Sequence, residues 1–161
     1  MKKTILAFIC FIIPIFIYAQ EFNVQWLNNM SNYLGKRVRD IPDSYEQDPT
    51  NKFIYSREIS NGISEGFNVS EKNIINGIIW GKESNSRSFL YSEFDRLLKM
   101  LSNQLGDPMV TDETNIMWNW KSKPLVLAID EGTVGVMLLT PDVIDLTQEQ
   151  WDEVVEYYSL E

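Results

Sequence analysis

The stretch Ser88 to Pro108, SFLYSEFDRLLKMLSNQLGDP, constrains the fold more than any other. Leu90, Phe94, Leu97, Leu98, Leu101 and Leu105 recur at spacings of three and four, which puts them on one stripe of an α-helix. Ser88 or Ser92 is the expected N-cap. Gly106 supplies a residue able to turn left-handed at the end, and Pro108 prevents continuation. A stripe this wide must be covered, and the remaining segments read as its cover.

Before it, Phe22, Trp26, Met30 and Tyr33 share helical spacing, and Gly35 stops that helix. Residues 36–51 carry Pro42 and Pro49 without periodicity and read as a loop. A strand is expected from Phe53 to Ser60, then Asn61-Gly62, then a second strand from Ile63. Asn-Gly between two such runs predicts a type I′ hairpin, in which both central residues need positive φ. Residues Ser70 to Asn73 turn the chain into a third strand, Ile74 to Trp80.

After the central helix, Ile116, Trp118 and Trp120 alternate with Met117 and Asn119, as a half-buried strand does. Ser122-Lys123-Pro124 and Asp130-Glu131-Gly132 turn the chain into Leu125–Ile129 and Val134–Leu139. At the end, Thr147 and Gln150 form a capping box, and Leu146 and Trp151 a hydrophobic staple. Trp151, Val154, Val155 and Tyr158 give this last helix an apolar face.

The predicted fold is α+β, in the order α-βββ-α-βββ-α, with an antiparallel sheet of about six strands and helices on one face. Leu27–Gly35 (LNNMSNYLG) aligns with Leu98–Gly106 (LKMLSNQLG), and Thr-Asn precedes the strands in both halves. A tandem duplication would produce this, as would any two amphipathic helices ending in Leu-Gly. At the level of architecture alone, the layout resembles small secreted inhibitor and envelope-assembly modules built from helix-plus-hairpin repeats.

Residues 1–19 read as a signal peptide. Lys2 and Lys3 precede an apolar run, Ile5 to Tyr18, and Ala19 offers a small residue for cleavage. At about fourteen residues, interrupted by Pro14, the run is short of the roughly twenty that span a bilayer, so no stable membrane anchor is expected after cleavage. The expected product is a single exported domain, residues 20–161, periplasmic or extracellular and bacterial in style.

Cys10 is the only cysteine and leaves with the signal, and the chain has no histidine. Imidazole bases, thiol nucleophiles and the usual zinc sites are therefore excluded from the processed chain. No cofactor and no metal site is expected. Gly62-Ile63-Ser64-Glu65-Gly66 matches the nucleophile-elbow pattern, but no histidine exists to take the serine proton and the segment reads as hairpin. The chain carries 23 acidic against 14 basic residues, a formal net charge of −9, which falls further once Lys2 and Lys3 are removed. Nucleic acid and anionic lipid are poor partners for such a surface.

Three functional readings stand. After Lys123 no basic residue appears, while Glu149, Asp152, Glu153 and Glu156 repeat at three-and-four spacing on the last helix. Like charges at that spacing oppose one another, and those near the helix C-terminus also oppose its dipole. The row is either a solvated face or a surface that docks a basic protein, as an inhibitor or immunity-type protein would. Alternatively, Trp118 and Trp120 form a platform for sugar stacking beside loop carboxylates (Asp40, Asp43, Glu46, Asp48, Asp142, Asp145), as in a carbohydrate-binding or glycan-cleaving domain. The third reading is a structural envelope protein with no discrete site.

Overall fold

The structure is a computed structural model that describes residues 21–111 and 114–159. The predicted signal peptide and its cleavage point lie outside the described residues. Three helices, α1 (Val24–Ser31), α2 (Arg87–Leu105) and α3 (Gln148–Ser159), accompany one antiparallel sheet. Its strands are β1 (Glu46–Gln47), β2 (Ile54–Ser60), β3 (Ile63–Val69), β4 (Ile75–Glu83), β5 (Val110–Thr111), β6 (Asn115–Asn119), β7 (Pro124–Ile129) and β8 (Thr133–Leu139).

The sheet has eight strands rather than about six, in the order β1-β2-β3-β4-β8-β7-β6-β5. The two additions, β1 and β5, are two-residue strands at the outer edges, too short to leave a periodicity in the sequence. β1 lies within the segment read as a loop, which also holds a 3₁₀ turn at Val38–Asp40. Each half is a helix, a two-residue strand and a three-stranded meander, and the halves meet at the β4–β8 pairing. That palindromic order is the topology a tandem repeat gives. Gly35 and Gly106, matched in the sequence alignment of the halves, also share a positive φ, 82° and 84°.

The covered face of the sheet presents Phe67, Ile78, Trp80, Val134, Val136, Leu138, Leu125, Leu127, Ile116 and Trp118, all in the main core. Leu90, Leu97 and Leu101 of α2 are fully buried in the same core, each contributing about 1.5–3 kcal/mol of burial energy. α2 starts two residues before a cap at Ser88, and six before one at Ser92, would have it. Ser86 is the N-cap, its Oγ accepting from the Phe89 amide at 3.4 Å. The stripe also carries one acid, Glu93, buried between Lys82 of β4 (3.4 Å) and Arg96 (2.7 Å). At the far end Gly106 has φ 84° but ψ −163°, so it leaves the helix extended rather than left-handed helical.

The helices do not share one face. In β6, Asn119 alternates with Trp118 and points to the opposite side, and there its Oδ1 accepts the Trp151 indole N–H at 3.2 Å. Trp151, Val126 and Leu139 are buried apart from the main core. α3 thus seals part of the second face, where Ile79, Met137, Val126 and Met117 stand in register across four strands. The expected cap is present: Thr147 N donates to Gln150 Oε1 at 2.8 Å and Gln150 N to Thr147 Oγ1 at 3.2 Å. The apolar face of α3 is narrower than predicted, since Val154 and Val155 are half-buried and Tyr158 is exposed.

The type I′ turn occurs at a different hairpin from the predicted one. At Asn61-Gly62 only Gly62 has positive φ, 74°, and the register slips between Glu58 and Ser60. The bulge absorbs the twist that a I′ turn would otherwise supply. Between β6 and β7, Lys121 (φ 51°) and Ser122 (φ 59°) both turn left-handed, and Trp120 and Lys123 exchange backbone hydrogen bonds at 2.8 and 3.1 Å.

Candidate functional site

Glu149, Asp152, Glu153 and Glu156 all project from α3 into solvent. Among the described residues, none of the three salt bridges reaches them. Lys36 lies over the Tyr33 ring and Arg37 bridges to Ile74, and neither these two nor Arg39 forms a salt bridge with the row. Only Asp152 has a neighbour in hydrogen-bond range, Gln148 Nε2 at 3.0 Å, and the same amide donates to the Ser122 carbonyl. Adjacent to the acids, Tyr157 and Tyr158 are exposed at 62% and 40%, ring edge to ring face with centroids 5.3 Å apart. A helix anchored by one buried indole therefore presents a row of unneutralised carboxylates ending in a pair of exposed aromatic rings.

Trp118 and Trp120 are placed differently from the platform reading. Trp118 is buried under α2, with its indole N–H donating to the Gly106 carbonyl at 3.1 Å. Trp120 is buried as well, and the Lys121 ammonium lies 4.3 Å from its ring centroid. Neither ring offers a flat face to a sugar. Both rings are taken up by the main core, Trp118 at the C-terminal end of α2. Of the loop acids, Glu46 and Asp48 share one wall with Glu58 beside Arg57, but Asp48 is used in its own turn, accepting from Thr50 and Asn51, and Asp40 caps Arg37. No group of three or more Asp or Glu side chains among the described residues is gathered as a cation site would require.

The elbow-like Gly62–Gly66 run is explained by the sheet. Gly62 turns the hairpin, and a Cβ at Gly66 would stand 2.5 Å from the Tyr55 carbonyl oxygen, so that position must be glycine for β2 and β3 to pair. Ser64 is an ordinary strand residue facing Gly81 across the pair.

Sequence reasoning passed over Glu65, which the fold makes the centre of a buried polar cluster. Its side chain accepts from the Trp26 indole (2.5 Å), the Tyr45 hydroxyl (2.6 Å), and Arg57 Nε and Nη2 (2.8 and 2.5 Å). Burial pushes this carboxyl up. The hydrogen bonds from Tyr45, Trp26 and Arg57, and the charge of Arg57, outweigh it and hold Glu65 below the usual carboxylate range. Burial and the adjacent carboxylate raise the Tyr45 hydroxyl far above its ordinary value. Both directions favour the charged carboxylate and the neutral phenol, with the Tyr45 hydroxyl donating to Glu65 Oε1. The cluster fixes Arg57, whose guanidinium also stacks 4.6 Å from the Tyr45 ring centroid. The available signal was the alternation of β3 itself, which puts Glu65 on the inward side with Ile63 and Phe67.

Compared with known proteins, the chain matches no family model, no curated relative and no solved structure. The functional reading is therefore built on its own residues. Among the described residues no helix is long and apolar enough to cross a membrane.

Proposed function

We propose that the protein is an exported, non-enzymatic binding module, of inhibitor or immunity type, that docks a basic protein partner through α3. The observation that carries this reading is the combination on one helix of four exposed, unpaired carboxylates with the exposed Tyr157–Tyr158 pair. Carboxylates held without counter-charges cost folding stability and attract a cationic surface, and exposed tyrosines supply rigid contact area once it arrives. The buried Trp151 and its bond to Asn119 fix the helix as a preformed face.

The test is capture from the native envelope fraction, at low salt and at about 0.5 M, where charge attraction between exposed groups is largely screened. Wild-type protein retains a basic partner at low salt and releases it at high salt. Asp152→Lys with Glu156→Lys captures nothing. Equal capture by the wild type and the double reversal would sink the reading.

A further inference from the structure

A groove of about 440 Å³ runs between α1 and the segment that follows it, and its walls include Asn29, Asn32, Tyr33, Lys36, Tyr45 and Arg57. On a chain of net charge −9 these walls hold two cations and no carboxylate. Glu65, which neutralises part of Arg57, is buried behind it and does not line the groove.

Both cations are seated. The Lys36 ammonium lies 4.8 Å from the Tyr33 ring centroid, and the Arg57 guanidinium 4.6 Å from that of Tyr45. Tyr33 and Tyr45 in turn pack on Phe67, at 5.1 and 4.8 Å between centroids. The two charged groups are thus mounted on rings that share one buried support. Lys36 has no carboxylate partner among the described residues. Arg57 uses Nε and Nη2 on Glu65 and Nη1 on Ser44 (3.1 Å). A guanidinium has five N–H donors, so two are left over from Glu65 and Ser44; the Tyr45 hydroxyl lies within reach of the group, and the ion pair with Glu65 holds it in place.

The other side of Arg57 faces a wall containing Glu46, Asp48 and Glu58, which repels an anion. The α1 side is the one an anion enters. From this we infer that the groove is a binding site for a small oxyanion, a carboxylate or phosphate group of an organic ligand, gripped by Arg57 and Lys36 with the Asn29 amide at its rim, the Asn32 amide being donated to the Asn28 and Asn29 carbonyls of its own helix. The site is separate from α3, and it stands or falls independently of any protein partner.

The test is a titration of the full chain, followed by nuclear magnetic resonance, with glutarate in one arm and inorganic phosphate in the other. The Arg57 Nε–H and the Asn29 and Asn32 side-chain amides report on the groove. At least one anion is expected to shift them saturably, phosphate marking preference for a tetrahedral group and glutarate for a planar one. Lys36→Gln, an exposed change that leaves the Glu65 cluster intact, should weaken that binding about tenfold. Arg57→Lys, which keeps the charge but loses the fork, should weaken it as well. Absence of saturable shifts in both arms, or identical affinity in Lys36→Gln, would overturn the assignment. So would shifts of equal size at the exposed Lys72, an adventitious ion only.

Discussion

Trp26 donates its indole N–H to Glu65 Oε2 at 2.5 Å, across thirty-nine residues of chain. That bond ties the first helix to the middle of β3, and Tyr45 and Arg57 close the same carboxylate from the loop and from β2. A single charged side chain therefore holds three segments that have no apolar periodicity in common.

Replacing Glu65 by Gln removes the charge opposite Arg57 while keeping the shape. It should cost about 2–4 kcal/mol at neutral pH, read as a lower urea midpoint. The folded-state pKa of Glu65 lies below its ordinary 4.5, so its contribution is complete above that value and is lost as pH falls through the folded value. Glu93 is also lowered: burial raises it, and Arg96 and Lys82 more than compensate. Wild-type stability should decline on acidification below about pH 4.5, and Glu65→Gln should show a shallower decline. A midpoint at pH 7 equal to the wild type would refute the role assigned to this carboxylate.

Ser122 holds a left-handed conformation that glycine adopts without penalty. Its carbonyl, which anchors Gln148, survives the change. Ser122→Gly should raise stability by about 1 kcal/mol, visible as a higher thermal midpoint. Gly62→Ala should do the reverse, because a Cβ there meets the Glu83 carbonyl oxygen at 2.9 Å on a backbone with φ 74°. Opposite signs at the two hairpins are the outcome to check.

Trp151 is the one fully buried residue of α3 and lies outside the main core. Trp151→Ala should release the helix, losing about 3–5 kcal/mol locally. Hydrogen exchange is the measurement: amides of residues 148–159 lose protection, and those of β3, β4 and β8 keep it. Uniform loss across the sheet would mean that α3 belongs to the main cooperative unit.

Glu156 sits towards the C-terminus of α3, where the helix dipole disfavours negative charge, and it follows Asp152 and Glu153 by four and three residues. Glu156→Lys should stabilise the isolated protein by a few tenths of a kcal/mol while weakening capture of a basic partner. A change that improves folding and harms binding is the mark of a residue retained for its surface. Improved folding with unchanged capture would identify a merely solvated face.

Much of the fold was legible because periodicity is a local property. The central stripe, the capping box at Thr147 and Gln150, the turn at Ser70–Asn73 and the six longer strands all announce themselves within a dozen residues. β1 and β5 did not, since two residues carry no period and pair only because β2 and β6 offer an edge. The acidic row of α3 could be read directly from its spacing. The two indoles at 118 and 120 could be assigned to one face, but whether that face met α2 or solvent was not written in the alternation.

The sequence by itself determined the absence of histidine, the α+β class and the helical register of its acids, because residue inventory and side-chain period need no partner. Tertiary structure decided the eight-stranded order, the placing of α3 on the second face and the burial of Glu65. Each of these depends on which distant segment arrives opposite, and a hydrogen bond such as Trp26 to Glu65 exists only once both ends have been brought together.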